Sequence, residues 1–503
     1  MKNRWKALLL LLIYLAGVVL LVRFGYLICA GKCHLPADQS LILSLDGYHD
    51  DNITSIKEKL IHRIQVQPFN LIATALFACA IIHTFFAHYF TGLSEKMRQR
   101  NIRLKKEPYD SFAVEVLRFL GEVEVVFGIW VIPLFIAMAF SYNWNTSVQY
   151  INGLNYLEPT FVVVIMTLAS TGPIIKLAED CVRWVARLGG ESASVWWWVI
   201  MTIGPLSGSL ITEPGAMTIS AFLLSKQFYE LRPSPKLSYA TLGLLFTNIS
   251  VGGVFTSFAA PPVLLVSKAW NWDTSYMMTN FGWKAVVGIL LANAVYYVLF
   301  RSEFKVLEKR KQAQRKEEKQ TGKEKKIPFW ISLVHVIFLV WTVAHNHYPA
   351  IFVGAFLLFL GFYEATLPYQ KVIRLRPPVL VGFFLAGLVA HGTLQGWWIA
   401  PLLENLDEKL LFIFSTILTS FNDNAEITFL ATLIPTFDEA MKYAVVAGAV
   451  TGGGLTVIAN APNPSGQTIL KKYFHQGISA ISLLAAALFP TIIMGLCFYL
   501  LRT

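Results

Sequence analysis

Charge is scarce in this sequence. Charged residues make up 15% of the 503, against 55% hydrophobic, where a soluble protein carries about 25% charge. Long polar stretches are missing too: none exceeds about 40 residues, and apolar runs of about 20, enough to cross about 30 Å of hydrocarbon, recur along nearly the whole chain. A single membrane anchor carrying a soluble domain is therefore excluded. Mean hydropathy is +0.53. Cysteine is sparse as well. Cys29, Cys33, Cys79, Cys181 and Cys497 form no C-x-x-C pair, so nothing marks a redox centre or a metal cluster. The Cys29/Cys33 spacing suits a disulfide only if that loop is periplasmic. No H-E-x-x-H, G-x-S-x-G or P-loop pattern is present, so neither an enzyme nor a cofactor is expected.

The formal net charge of +11 does not point to nucleic acid, because the basic residues cluster in short segments between apolar ones. That is the positive-inside pattern of an inner-membrane protein. Apolar runs and basic loops together predict an all-α polytopic membrane protein with about eleven transmembrane helices and two re-entrant hairpins. Lys2, Arg4 and Lys6 precede the first run, 7–28, which is too long for an ordinary signal peptide and is expected to remain as a helix. With the N-terminus cytoplasmic, the C-terminus falls in the periplasm of a bacterial cell.

Four regions are expected. Residues 1–68 hold the first helix and an outside loop. Residues 69–300 hold spans near 69–90, 111–139 and 156–175, a hairpin at 196–224, a broken helix at 238–268 and a span at 278–300. Residues 301–327, with eleven Lys/Arg and five Glu, form a solvated cytoplasmic linker whose contact with lipid headgroups is a side effect. Residues 328–503 hold three spans, a hairpin at 411–435, a broken helix at 440–470 and a final span. The hairpins are recognised by short apolar arms around a polar middle, as in GPLSGSLITEPG and TSFNDNAEIT. The first is flanked by Arg187, Lys226 and Arg232, the second by Glu408, Asp438 and Glu439. They enter from opposite sides, so the two halves form an inverted-topology repeat, the architecture in which paired interruptions mark a transport site.

Residues align across the halves. At an offset of 210, TEPGAMT at 212–218 lies on NDNAEIT at 422–428, with Glu213 on Asp423 and Thr218 on Thr428. At an offset of 200, GGVFTSFAAPP at 252–262 lies on GGGLTVIANAP at 452–462, with Gly252, Gly253 and Thr256 on Gly452, Gly453 and Thr456. Lipid cannot satisfy irregular backbone, so such breaks line a protected cavity. Carbonyls, hydroxyls and a carboxylate there suit a hard cation such as sodium; exposed N–H groups at a half-helix start suit an anion. Glu213 and Asp423 are the foremost candidates, because an ionisable side chain inside a membrane segment is by default functional. Each also has a structural reading, as a helix cap or as half of an ion pair. A protected carboxylate that holds either H⁺ or Na⁺ gives the simplest antiport. Glu115, Glu122, Glu124, Glu158 and Glu426 are weaker candidates, and His83, His88 and His335 read as packing residues.

The hairpin tips and glycine-rich breaks resemble those of the ion transporter superfamily, which includes arsenite exporters, NhaD-type sodium/proton antiporters and divalent-anion/sodium symporters. The sequence also looks close to a small branch labelled as sodium/proton antiporters. NDNAEIT is similar to an Asn-Asp-Asn-x tip signature, and TGGGLTVIANAPNPSG to a G-G-x-x-T-x-I-G-x-x-x-N break. The resemblance covers most of 69–500. It implies a mobile transport domain, a scaffold with a dimer surface, and elevator-like movement. Residue by residue it implies ion or substrate contacts at Thr212, Glu213, Gly215, Gly252, Gly253 and Thr256, with Thr218 in the same tip. In the second half it implies Asn422, Asp423, Asn424, Thr428, Gly453, Thr456, Asn460 and Asn463. Glu213 and Asp423 would hold Na⁺. The first half departs from the pattern in TEPGAMT and in SFAAPP, which lacks the Asn ending, and this opens the number of ions carried. Sodium/proton antiport leads. Sodium-coupled organic-anion or oxyanion transport, and a non-transporting scaffold or membrane enzyme, remain as alternatives. Expected partners are the bilayer, small ions and a second copy of the chain, without nucleic acid.

Overall fold

The computed structural model describes residues 42–103, 112–190, 192–318, 327–370, 372–373, 375–475 and 477–502, together with positions 17 and 23. The expected first span, Cys29, Cys33, Lys105, Lys106 and residues 319–326 of the linker lie outside the described residues. Among the described residues the secondary structure is helical throughout, without a strand. Among the described residues five helices are long and apolar enough to cross a membrane, or up to seven if each of two bent pairs counts as one span. Eleven were expected, the first of them outside the described residues. The difference arises because helices such as Phe329–Ala344 and Pro349–Ala365 are shorter than a full crossing, and the broken segments are cut into pieces.

The chain divides into two compact units, each drawing on both halves of the sequence. The first comprises residues 1–159, 379–406 and 433–436. Its long helix Phe69–Arg103 packs against Phe112–Leu120 and Val126–Ser141. The single span expected over 111–139 is thus divided near Gly121. There Thr91 donates to the Gly121 carbonyl, and a Cβ on Gly121 would strike that threonine. The helices Arg376–Gly392 and Gly396–Leu403 meet at 80°, where one straight span over 378–398 was expected.

The second unit comprises residues 160–378, 407–432 and 437–503. Several of its helices begin on side-chain caps, among them Ser192 before Ala193–Ile211, Ser234 before Pro235–Gly252, Asp407 before Glu408–Thr419 and Asp438 before Glu439–Gly452. Each cap oxygen accepts a backbone N–H that has no partner within the helix. After Ala193–Ile211 the chain reverses through Thr212 alone into Glu213–Gln227. The first arm is a 19-residue helix, not the ten-residue arm that its Gly-Pro content suggests. Gly204 and Gly208 do not end it. They let the return arm approach, since a Cβ on Gly204 would strike Ser220 and one on Gly208 would lie 3.3 Å from the Ala216 methyl.

The first broken helix runs Pro235–Gly252 and resumes at Pro261–Ala269; the second runs Glu439–Gly452 and resumes at Asn463–Leu470. The second tip joins Glu408–Thr419 to Asn424–Ala431. The pieces interlock across the sequence halves. Glu213–Gln227 packs on Asn463–Leu470, and Asn424–Ala431 packs on Pro261–Ala269.

The described part of the linker departs from the solvated segment expected. Its first part is a helix, Arg301–Glu318, with Phe304, Leu307 and Lys311 buried. It is docked rather than solvated all round.

Candidate functional site

The site grows from two helix starts. Thr212 caps the helix beginning at Glu213, and Asp423 caps the one beginning at Asn424. The Asp423 side chain accepts from the Ala425 N–H at 2.9 Å. Thr212 makes no side-chain cap bond and sits at φ 66°, ψ 153°, a region that is almost exclusive to glycine. Each following residue, Glu213 or Asn424, is fully buried.

The glycine breaks then close over these residues. A Cβ on Gly253 would lie 2.7 Å from Glu213 Oε1, and one on Gly453 would lie 2.9 Å from Asn424 Nδ2. Only a residue without a side chain lets the backbone pass that near. Asn460 Nδ2 donates to Glu213 Oε2 at 3.0 Å, so the second break reaches the first tip. The Asn424 N–H donates to the Ala459 carbonyl at 3.1 Å. Asn463 Nδ2 donates to the carbonyls of Gly453 and Thr456, both at 2.8 Å.

Four contacts recur between the halves. Thr256 donates to the Ser209 carbonyl and Thr456 to the Ser420 carbonyl, each at 2.8 Å. Gly252 lies against the Pro205 carbonyl as Gly452 lies against that of Thr416. Asn248 donates to the Met201 carbonyl, and Gly448 lies against that of Phe412. Gly253 faces Glu213 as Gly453 faces Asn424. In every pair the broken helices are offset by 200 and the tips by 211.

This corrects the tip alignment. Glu213 corresponds to Asn424, not to Asp423, and Thr212 corresponds to the capping Asp423. Chance identities such as Thr218 with Thr428 favoured the offset of 210; the helix starts fix the true register. Ser209 and Ser420, missed in the sequence, stand three residues before the two caps. An alignment at 211 would have superposed them.

Glu213, Asn424, Asn460, Asn463, Gly253 and Gly453 form one cradle, with Gly252, Thr256 and Thr456 tying its walls. Others predicted from sequence lie beside it. A Cβ on Gly215 would lie 3.6 Å from the Ile211 side chain, Thr218 donates to the Pro214 carbonyl, and Thr428 bonds back to the carbonyl of Asn424. Asn422 and Asp423 are half-buried at the turn. Glu426 is buried nearby with one carboxylate oxygen lacking a hydrogen-bond partner. Glu115, Glu122, Glu124 and Glu158 belong to the other unit. His83 is bound at both nitrogens, by Trp130 and the Leu120 carbonyl.

The cradle is under-bonded. Glu213 Oε1 and the amide oxygens of Asn424, Asn460 and Asn463 are buried without hydrogen-bond partners, as is Asn424 Nδ2. No described lysine or arginine pairs with Glu213. A buried polar atom left unbonded costs about 1–3 kcal/mol, and an unpaired buried charge costs more. One carboxylate oxygen with several amide oxygens is a donor set suited to a hard monovalent cation.

Apolar spans, paired helix breaks and this buried oxygen cradle define a multi-pass helical membrane protein of the transporter class. The chain belongs to the family described as "Putative Na+/H+ antiporter", whose model matches residues 68–501. Among solved structures it is similar to the YdaH transporter of Alcanivorax borkumensis. Identity is 13% over 70% of this chain and 86% of that one, with a TM-score of 0.41, a likeness too slight to carry residue comparisons. No curated protein matches the chain.

Proposed function

We propose that the protein exchanges sodium for protons, and that Glu213 is the group at which the two compete. The observation that carries this reading is a fully buried carboxylate with one oxygen bonded to Asn460 and the other unbonded. With no described cationic side chain to balance it, the carboxylate is stabilised either by a proton or by a metal cation. Sodium would draw on Glu213 Oε1 and on the amide oxygens of Asn460, Asn424 and Asn463. A proton on the carboxylate removes the charge and with it the cation's main attraction. Mutually exclusive occupancy of one carrier, presented alternately to the two sides, is antiport. An organic anion placed here would meet the Glu213 charge, which favours the cation reading.

The recurring contacts support an inverted-topology repeat in which tips and breaks travel together between two access states, in the bacterial inner membrane with the C-terminus periplasmic. Because the second tip offers Asn424 where the first offers Glu213, the ion's carboxylate is Glu213, while Asp423 caps the second tip near enough to repel that carboxylate.

The test is exchange in proteoliposomes with an imposed pH gradient and a fluorescent pH probe. Sodium should collapse the gradient for the native protein and leave it standing for Glu213→Gln, while Asp423→Asn retains exchange. If an anion but no cation moves protons, or if the Glu213→Gln protein exchanges as well as the native one, the reading is wrong.

A further inference from the structure

The helix Arg301–Glu318 has two faces whose residues point to different partners. Phe304 and Leu307 are sealed against the second unit. The same side ties the helix to the first hairpin. Glu308 accepts the Ala193 N–H at 2.8 Å, at the start of the hairpin's outgoing arm. Lys311 donates to Gln227 at 2.6 Å, at the end of its return arm. Arg310 donates to the carbonyls of Leu231 and Arg232, and Ser234, the cap of the first broken helix, donates to Glu303 at 3.0 Å. One helix thus holds the base of the arm that carries Glu213 and the start of the helix that carries Gly253.

Beside this docked face runs a basic one. Arg301, Lys305 and Lys309 are exposed and spaced four apart, so they form a single row along the helix. None of the three has an ion pair with a described residue, whereas Glu303 and Glu308, the acids of the same stretch, are turned to the protein. The row begins two residues beyond Leu299, the end of a membrane-length apolar helix whose last residues Val298 and Leu299 are 69% and 63% exposed. The end of such a span is where headgroups are expected, and there a lysine or arginine gains about 1 kcal/mol from an anionic leaflet.

We propose that this row is a docking surface for anionic phospholipid headgroups, and that lipid bound there steadies the base of the first hairpin through the docked face of the helix. The charge complementarity and the end of the apolar helix choose the occupant. The inference does not depend on which ion the cradle carries.

The test is thermal unfolding of the purified full chain in neutral detergent, titrated with phosphatidylglycerol or with phosphatidylcholine. Phosphatidylglycerol should raise the melting temperature more than phosphatidylcholine does, and the difference should shrink in 1 M salt, where screening reaches only about 3 Å. In the triple variant Arg301→Gln, Lys305→Gln, Lys309→Gln the difference should disappear. Single variants should each weaken the lipid's half-effect concentration about fivefold. The proposal is overturned if the triple variant keeps the full phosphatidylglycerol effect. It is also overturned if inorganic phosphate reproduces that effect, or if salt leaves it unchanged in the native protein, a readout that needs no variant to fold.

Discussion

Helices break in both units, and the breaks are finished differently. In the first unit the chain turns by 80° between Gly392 and Gly396, and polar groups at the turn find partners. Gln395 donates to the His391 carbonyl and accepts from Thr74 and Trp398; the Trp397 indole donates to Thr74. The Trp397 carbonyl accepts from Arg63, whose charge is matched by Asp50. The exception is the His391 ring beside Phe77 and Phe127, whose nitrogens lack well-formed hydrogen bonds. In the second unit the tips and breaks leave a carboxylate oxygen and three amide oxygens buried and unbonded. The first break satisfies nearly all of its own polar groups; on the proposed reading the second set keeps its oxygens for an ion.

The sharpest way to test that contrast is to remove a charge from each break. Arg63→Met leaves Asp50 buried without its counter-charge and the Trp397 carbonyl without its donor, which should cost about 3–5 kcal/mol. Glu213→Gln removes a charge that has no partner, so it should leave the melting temperature level or raise it. Equal destabilisation by the two would erase the distinction. Acid should act on the first unit in the same sense. Burial alone would raise the Asp50 carboxyl, but the hydrogen bond and charge of Arg63 outweigh it and hold the group below the ordinary carboxylate range. Its stabilising contribution is therefore present above the unfolded value of about 3.9 and is lost as pH falls through the lower folded value. Asp50→Asn should lack that acid limb in a melting-temperature profile.

A smaller effect is expected from closing the cradle without touching a charge. Gly253→Ala sets a methyl 2.7 Å from Glu213 Oε1 and must displace the carboxylate or the break. Overpacking of this kind costs about 1–3 kcal/mol, which should appear as a loss of apparent sodium affinity of about fivefold or more. Gly453→Ala meets Ser250 as well as Asn424 and should perturb folding more and sodium affinity less. If Gly253→Ala binds sodium normally, the Glu213 carboxylate is not where the cation sits.

Much of this was legible in the residues. Glycine pairs within apolar runs, and polar tips between short arms, announce broken helices because lipid tolerates nothing else there. The locations of the tips and breaks, and most of the cradle residues, follow from that reading. What could not be read was register. Glu213 and Asp423 are both acidic and fall into alignment, yet chemical likeness says nothing about which residue caps a helix and which begins it. The division into units was hidden for a related reason. Residues 433–436 join the first unit while their neighbours on both sides join the second, and local composition carries no trace of such exchanges. Glycine and proline misled in the first hairpin, where they permit close packing rather than stop a helix.

The smallest effect should come from Thr212. Its backbone, at φ 66° and ψ 153°, lies where a β-branched side chain costs about 1–3 kcal/mol. At an ordinary position Thr→Gly lowers stability, because the unfolded glycine is freer. Here relief of the strained conformation works against that loss, and the threonine hydroxyl makes no cap bond whose removal would add to it. Thr212→Gly should therefore stabilise the protein by about 1 kcal/mol, read as a modest rise in melting temperature in detergent. No glycine gain of this kind is expected at the corresponding cap, since Asp423 sits at φ −67° and bonds the Ala425 N–H; Asp423→Gly should lose stability. A fall in both variants would mean that the first tip stores no strain and that the two helix starts differ only in the side chains they present.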